Sequence, residues 1–259
     1  MQHNLSVFGR RPLRAVLCLF VIAAATLVPG CGGGKKDTTR YVALGDSIAY
    51  GPVAVERSGY VYEFADLLRG SVDDPIALNN RAVPLIKSGD LLTALKDDVP
   101  PGLRGAVRNA QILTISIGGN NLLGCANNNY NNIDTACTAR GVSDFAEDWP
   151  QILAEIRTGI GSTARLYVMT LYNPYKEDDP NFAVADAALQ QINAVIQNPS
   201  YQTTYNYKVA DVYTDFRGRL PDGTEKTCAW TRFCESERDP HPSQAGHTEI
   251  ARLHQAIYP

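Results

Sequence analysis

The run Tyr41-Val42-Ala43-Leu44-Gly45-Asp46-Ser47 constrains the fold more than any other stretch of the chain. Four consecutive apolar residues, Tyr41 to Leu44, suit a strand buried on both faces, and such strands belong to parallel sheets covered by helices. Gly45 lets the backbone turn sharply where the strand ends. Ser47 then stands at the carboxyl end of the strand, where open α/β sheets bind their ligands. A nucleophile needs that place, with its hydroxyl exposed and its own N–H free to face a reacting carbonyl oxygen. The plain alternative is that Asp46 or Ser47 only caps a following helix.

Downstream, strand-like and helix-like segments alternate. Ser58 to Gly70 carries a helical stripe of Tyr60, Phe64, Leu67 and Leu68 that a glycine ends. Ile76 to Leu78 reads as a second strand and Gly89 to Lys96 as a short helix. Ile112 to Ile117 is a third strand closed by Gly118-Gly119, and the Asn-rich run 127–132 is a loop. A helix is expected around Trp149 to Thr158, and a fourth strand over Leu166 to Leu171. Asp179-Pro180 reads as a helix start with proline at the first helical position, followed by the stripe Phe182, Ala185, Leu189, Ile192 and Ile196. Tyr207 to Val212 is a fifth strand, and Ser243 to Ile257 the last helix. Strands separated by helices predict a three-layer α/β/α sandwich around a parallel sheet, with no internal repeat and no second domain over residues 40–259.

The first 30 residues read as an export signal. Arg10, Arg11 and Arg14 form a basic start, and Ala15 to Val28 an apolar core about half the length of a membrane-spanning helix. Pro29-Gly30-Cys31 resembles the site at which bacterial lipoproteins are lipidated, which would make Cys31 the anchor. An ordinary secretory signal with a chance cysteine is the alternative. Residues 31–39, Gly-rich and polar, are expected to form a flexible tether. The expected location is the extracytoplasmic face of a bacterial membrane, or the medium if the chain is simply secreted. The leader holds three of the 24 basic residues and none of the 27 acidic ones, so the remainder is mildly acidic at −6. That balance offers no basic stripe for nucleic acid. Cys125, Cys137, Cys228 and Cys234 fall as two close pairs, for which Cys125–Cys137 and Cys228–Cys234 is the simplest of three disulfide connectivities. A zinc site is the alternative, and its spacing is poor.

A serine nucleophile needs a base and oxyanion donors. Of four histidines, His3 lies in the leader, and His247 and His254 lie on the apolar stripe of the last helix. His241 precedes Pro242, which disfavours helix, so it sits on a loop and is the candidate base. Gly118-Gly119-Asn120 follows the third strand, where Asn120 would face Ser47 across one crevice. The alternative there is a plain turn or helix cap.

Gly45-Asp46-Ser47, Gly118-Gly119-Asn120 and His241-Pro242, in that order at strand ends, resemble the blocks of the GDSL, or SGNH, serine hydrolases. Asn80-Arg81-Ala82-Val83-Pro84 with Ser88-Gly89-Asp90 resembles the second block. The resemblance implies a flavodoxin-like sheet of order 2-1-3-4-5. It implies esterase or lipase chemistry on a small-molecule or lipid ester through an acyl-serine, without cofactor or metal. The implied oxyanion hole comprises the N–H groups of Ser47 and Leu85 and the Asn120 amide. Leu85 stands where the family has glycine, and its bulk is expected to narrow the cleft. The family often has aspartate three residues before its histidine, where this chain has Arg238. Asp239 stands two before His241 and is expected to orient it only if Pro240 bends the chain; otherwise a backbone carbonyl does so. A carbohydrate deacetylase, an acyltransferase and an inactive surface binding protein remain open on the same machinery. A monomer is expected.

Overall fold

In the computed structural model, residues 37–52, 57–71 and 74–259 are described. The expected signal peptide (1–30), the lipidation site Cys31 and most of the tether lie outside them. The tether ends earlier than expected, because Thr39 already pairs with Ile76 in the sheet.

In chain order the elements are β1 (Thr39–Gly45), α1 (Ser47–Tyr50), α2 (Tyr60–Ser71), β2 (Ile76–Asn80), α3 (Ser88–Asp97), α4 (Leu103–Asn109), β3 (Ile112–Ser116), α5 (Gly119–Leu123) and α6 (Thr135–Ala154). A π-helical turn, Glu155–Gly159, extends α6. Then come β4 (Arg165–Met169), α7 (Phe182–Ile196), α8 (Pro199–Tyr205), β5 (Tyr207–Ala210), α9 (Val212–Asp215), α10 (Lys226–Trp230), β6 (Thr231–Arg232), β7 (Asp239–Pro242) and α11 (Gln244–Ile257). β1 to β5 form a parallel sheet of order 2-1-3-4-5. β6 and β7 form a separate antiparallel ribbon.

Strand side chains alternate between faces, and here both faces are covered. Val42, Leu44, Leu113, Ile115, Leu166 and Val168 pack with α3, α4, α6 and α7. Their neighbours Tyr41, Ala43, Ile112, Tyr167 and Met169 pack with α2 and α11 on the opposite face. This double burial explains why β1 and β3 read as continuous apolar runs.

Several boundaries differ from the sequence reading. The helix expected from Trp149 begins at Thr135, capped by the Asp134 carboxylate on the Cys137 N–H at 3.0 Å, and Pro150 lies inside it. Pro180 is not the first helical residue of α7. Asp179 accepts from the Asn181 N–H in a local turn, and the helix starts at Phe182. β5 stops at Ala210 because the Asp211 carboxylate caps α9 through the Thr214 N–H. The fourth strand ends at Met169, since Leu171 turns its N–H to the Asn193 side chain at 2.7 Å.

Candidate active site

Gly45 is required where β1 meets the site. Its φ is +128°, and a Cβ there would lie 1.9 Å from the Ser116 carbonyl oxygen of β3. Asp46 continues the ladder by donating its N–H to that oxygen at 3.0 Å, and its carboxylate accepts from the Ile48 N–H at 3.1 Å. Asp46 therefore does cap α1, as the plain reading held, and the cap sets Ser47 as the first helical residue at the carboxyl edge of the sheet. Burial pushes the Asp46 carboxyl up to about 7, against the Ile48 N–H, the charge of His241 and the Ser116 hydroxyl.

His241 reaches Ser47 from the far end of the chain. Its Nε2 lies 2.8 Å from Ser47 Oγ, and its Nδ1 lies 2.5 Å from Asp239 Oδ1. That same oxygen accepts the His241 backbone N–H at 3.0 Å. The other carboxylate oxygen is 2.9 Å from Nη1 of Arg232, across the ribbon. Burial alone would raise the Asp239 carboxyl. The hydrogen bonds from the His241 N–H and ring, with the charges of His241 and Arg232, outweigh it and hold the group below the usual range. An ionised Asp239 only accepts, so Nδ1 carries the ring hydrogen and Nε2 is left to accept from Ser47.

Asp239 meets His241 without the bend at Pro240 on which that role was expected to depend. β7 runs extended through Asp239–Pro242, and residues two apart on a strand share a side, so carboxylate and imidazole meet directly. The ribbon is pinned from outside. Tyr172 donates its hydroxyl to the Pro240 carbonyl at 2.6 Å, and the Ser243 N–H donates to the Trp230 carbonyl at 2.9 Å. Arg238 turns elsewhere. Its guanidinium pairs with Asp179 at 2.7 Å and lies 4.7 Å from the Phe233 ring centroid. Neither Arg232 nor this clasp was foreseen; the cross-strand pairing Arg232↔Asp239 is not written in any spacing.

Asn120 is the second residue of α5 and buried. Its Nδ2 donates one hydrogen to the Ile86 carbonyl at 2.9 Å, leaving the other for a ligand. That bond ties it to the segment carrying Leu85. Leu85 has a φ of +70°, the left-handed region in which glycine is at ease, which agrees with a glycine at this place in the family. Its side chain is 80% exposed, and it stands outside the wall of the cavity beside Ser47, so the narrowing expected from its bulk is not seen there. Asn121 points inward, accepting the Ser88 N–H at 3.1 Å and donating to the Ser88 hydroxyl at 2.8 Å.

The other two histidines are core groups, as expected. His247 accepts the Tyr60 N–H on Nδ1 at 3.2 Å. His254 donates from Nδ1 to the Ile250 carbonyl at 2.8 Å. Burial pushes both down to about 4. The disulfides Cys125–Cys137 and Cys228–Cys234 form as expected, with Cα separations of 5.4 and 5.2 Å.

A cavity of about 90 Å³ adjoins the site. Ile48, Gly119 and Pro240, each next in sequence to Ser47, Asn120 or His241, line its near end, and Ala185, Ala188 and Leu189 of α7 line another part.

A model of the GDSL-like lipase/acylhydrolase family matches residues 43–248. Among solved structures, the chain is similar to the lipase Lip_vut3 from a goat rumen metagenome, at 22% identity and a TM-score of 0.66 over 84% of this chain and 96% of that one. It is similar to an extracellular lipase from Streptomyces rimosus at 20% identity and a TM-score of 0.60, over 85% and 100% of the two chains. The acetylxylan esterase Axe2 from Geobacillus stearothermophilus gives 17% identity and a TM-score of 0.55, over 84% and 93%. At these identities the likeness carries the fold. Comparison with the curated proteins finds no match.

Proposed function

The chain belongs to the GDSL-like lipase/acylhydrolase family, and on that premise we propose that it hydrolyses carboxylic esters through an acyl-serine on Ser47. The observation that carries the reading is the continuous path Ser47 Oγ to His241 Nε2 to Nδ1 to Asp239, at 2.8 and 2.5 Å. A surface binding protein has no need of that path.

In the proposed reaction, His241 Nε2 takes the Ser47 hydroxyl proton as Oγ bonds to the ester carbonyl carbon. The carbonyl oxygen becomes an oxyanion facing the N–H groups of Ser47 and Leu85 and the free amide hydrogen of Asn120. The intermediate collapses by breaking the bond to the alkoxy oxygen, which leaves as the alcohol with the proton from His241. Water then repeats the sequence on the acyl-serine and releases the carboxylic acid. Asp239 keeps the imidazole in the tautomer that accepts from Ser47 and stabilises its protonated form.

A fluorophosphonate probe is expected to label Ser47, and chromogenic esters to be cleaved by wild type and not by Ser47→Ala. Labelling that persists in Ser47→Ala, or wild type inert toward every ester, refutes the reading. We also propose that Cys31 is lipidated and holds the enzyme on the extracytoplasmic face of the membrane. The support is the basic-apolar-cysteine order of residues 10–31. Wild type should partition with membranes and Cys31→Ser should not; equal release of both into the soluble fraction removes the anchor.

A further inference from the structure

We infer that the cavity beside Ser47 is a binding site for a short straight acyl chain of roughly four to six carbons. The inference rests on the esterase reading for its chemistry and on the cavity for its substrate class. The near end touches the residues next to nucleophile, amide donor and base, so a chain bonded to the carbonyl carbon at Ser47 has a short way in.

The wall favours hydrocarbon. Ile48, Leu122, Ile133, Ala185 and Leu189 present only carbon. Two polar side chains in it are already engaged, Tyr172 by the Pro240 carbonyl and Thr138 by the Thr135 carbonyl at 3.0 Å. The buried Tyr175 hydroxyl has no partner among the described residues. The hydroxyls of Tyr130 and Tyr175 cannot between them satisfy the several hydroxyls of a sugar ring, and buried polar groups left unpaired oppose binding. An alkyl chain makes no such demand.

Size sets the length. An apolar cavity of about 150 Å³ takes one six-carbon benzene ring, so about 90 Å³ takes on the order of four carbons beyond the ester carbonyl. The cavity also has a thin side. Thr138 of α6 and Ala188 of α7 line both it and an outer groove between those helices. A wall one small side chain thick stops a longer chain and can be thickened by substitution.

The test is a series of p-nitrophenyl esters from acetyl to palmitoyl, the alcohol held constant, with calorimetric binding of acetate, hexanoate and octanoate to wild type and Ser47→Ala. Catalytic efficiency should rise up to about fourfold per added methylene, peak near four to six carbons and then fall. Ala188→Leu should move the peak to shorter chains. The carboxylates report on the cavity even where that variant does not fold or no ester turns over. Efficiency that is flat or highest for acetyl overturns the acyl-chain site and leaves the esterase reading standing. Hexanoate bound more tightly than acetate by a protein inert toward every ester supports the cavity as a chain site and overturns the esterase reading. Hexanoate bound no better than acetate overturns the cavity assignment.

Discussion

The Asn120 amide has two hydrogens, and the Ile86 carbonyl holds one of them at 2.9 Å. The bond fixes the direction of the other, which a donor must have if it is to meet an oxyanion without reorganising. Asn120→Ala should therefore lower kcat by 100-fold or more, about 3 kcal/mol of barrier, with a smaller effect on KM; an unchanged kcat removes Asn120 from the oxyanion site. Asp239→Asn presents an amide to Nδ1 and favours the wrong imidazole tautomer. A loss on the order of 10⁴-fold accompanies that change in a serine protease triad, and a loss below tenfold here would show that Asp239 does not orient the base. Ser47, Asn120 and His241 were legible in the sequence because their three blocks occur together in the family's order, although each alone also reads as a cap, turn or loop. His241 lies on β7 rather than on the loop expected of it. Asp239 was harder to read, because its role was expected to depend on a bend at Pro240, whereas two residues two apart on an extended strand already share a side.

Elements hold these residues at different depths of support. β1 is gripped by strands on both sides, whereas β7 is paired only with the two-residue β6, beside the Cys228–Cys234 bridge. Replacing that pair by serines should lower kcat by roughly 10- to 100-fold at temperatures where the fold persists, since a displacement of about 1 Å can cost about 100-fold. Unchanged kcat in the folded double variant would make the bridge a passive brace. Cys125–Cys137 closes the loop that contributes Ala126, Tyr130 and Ile133 to the cavity, so its removal should act on chain-length preference before it acts on kcat. Helical periodicity gave the apolar stripe of α7, but it could not say that Ala185 and Ala188 face a cavity. Small residues on a stripe look alike whether a neighbouring helix or empty space lies opposite.

For the molecule as a whole, burial of three titratable groups sets the response to acid. His247 and His254 titrate near 4 in the fold and near 6.5 when unfolded, so the unfolded chain binds more protons between those values and stability falls as pH drops through that window. Asp46 works the other way. Its value of about 7 in the fold, against 3.8 unfolded, means that the fold keeps a proton the unfolded chain has lost, and stability falls as pH rises from about 4 to 7. Two histidines against one aspartate leave a net loss of about 3 kcal/mol on acidifying from about 6.5 to 4. Asp46→Asn, which keeps the cap on Ile48, should roughly double that loss in denaturant unfolding; an unaltered slope would mean that Asp46 is ionised throughout. The three-layer class was legible because apolar strands alternate with helices, and the strand order followed from the family resemblance, while the β6–β7 ribbon was not legible, being too short to leave a pattern. Ser47 and His241 nevertheless lie 194 positions apart and meet only across that ribbon. A chain emerging amino end first thus presents its nucleophile 194 residues ahead of its base. Until His241 has emerged, Ser47 lacks the base that activates it, and on the proposed reading the nascent chain is an unarmed hydrolase, unable to attack nearby esters. In refolding, the return of esterase activity should trail the return of sheet and helix signals.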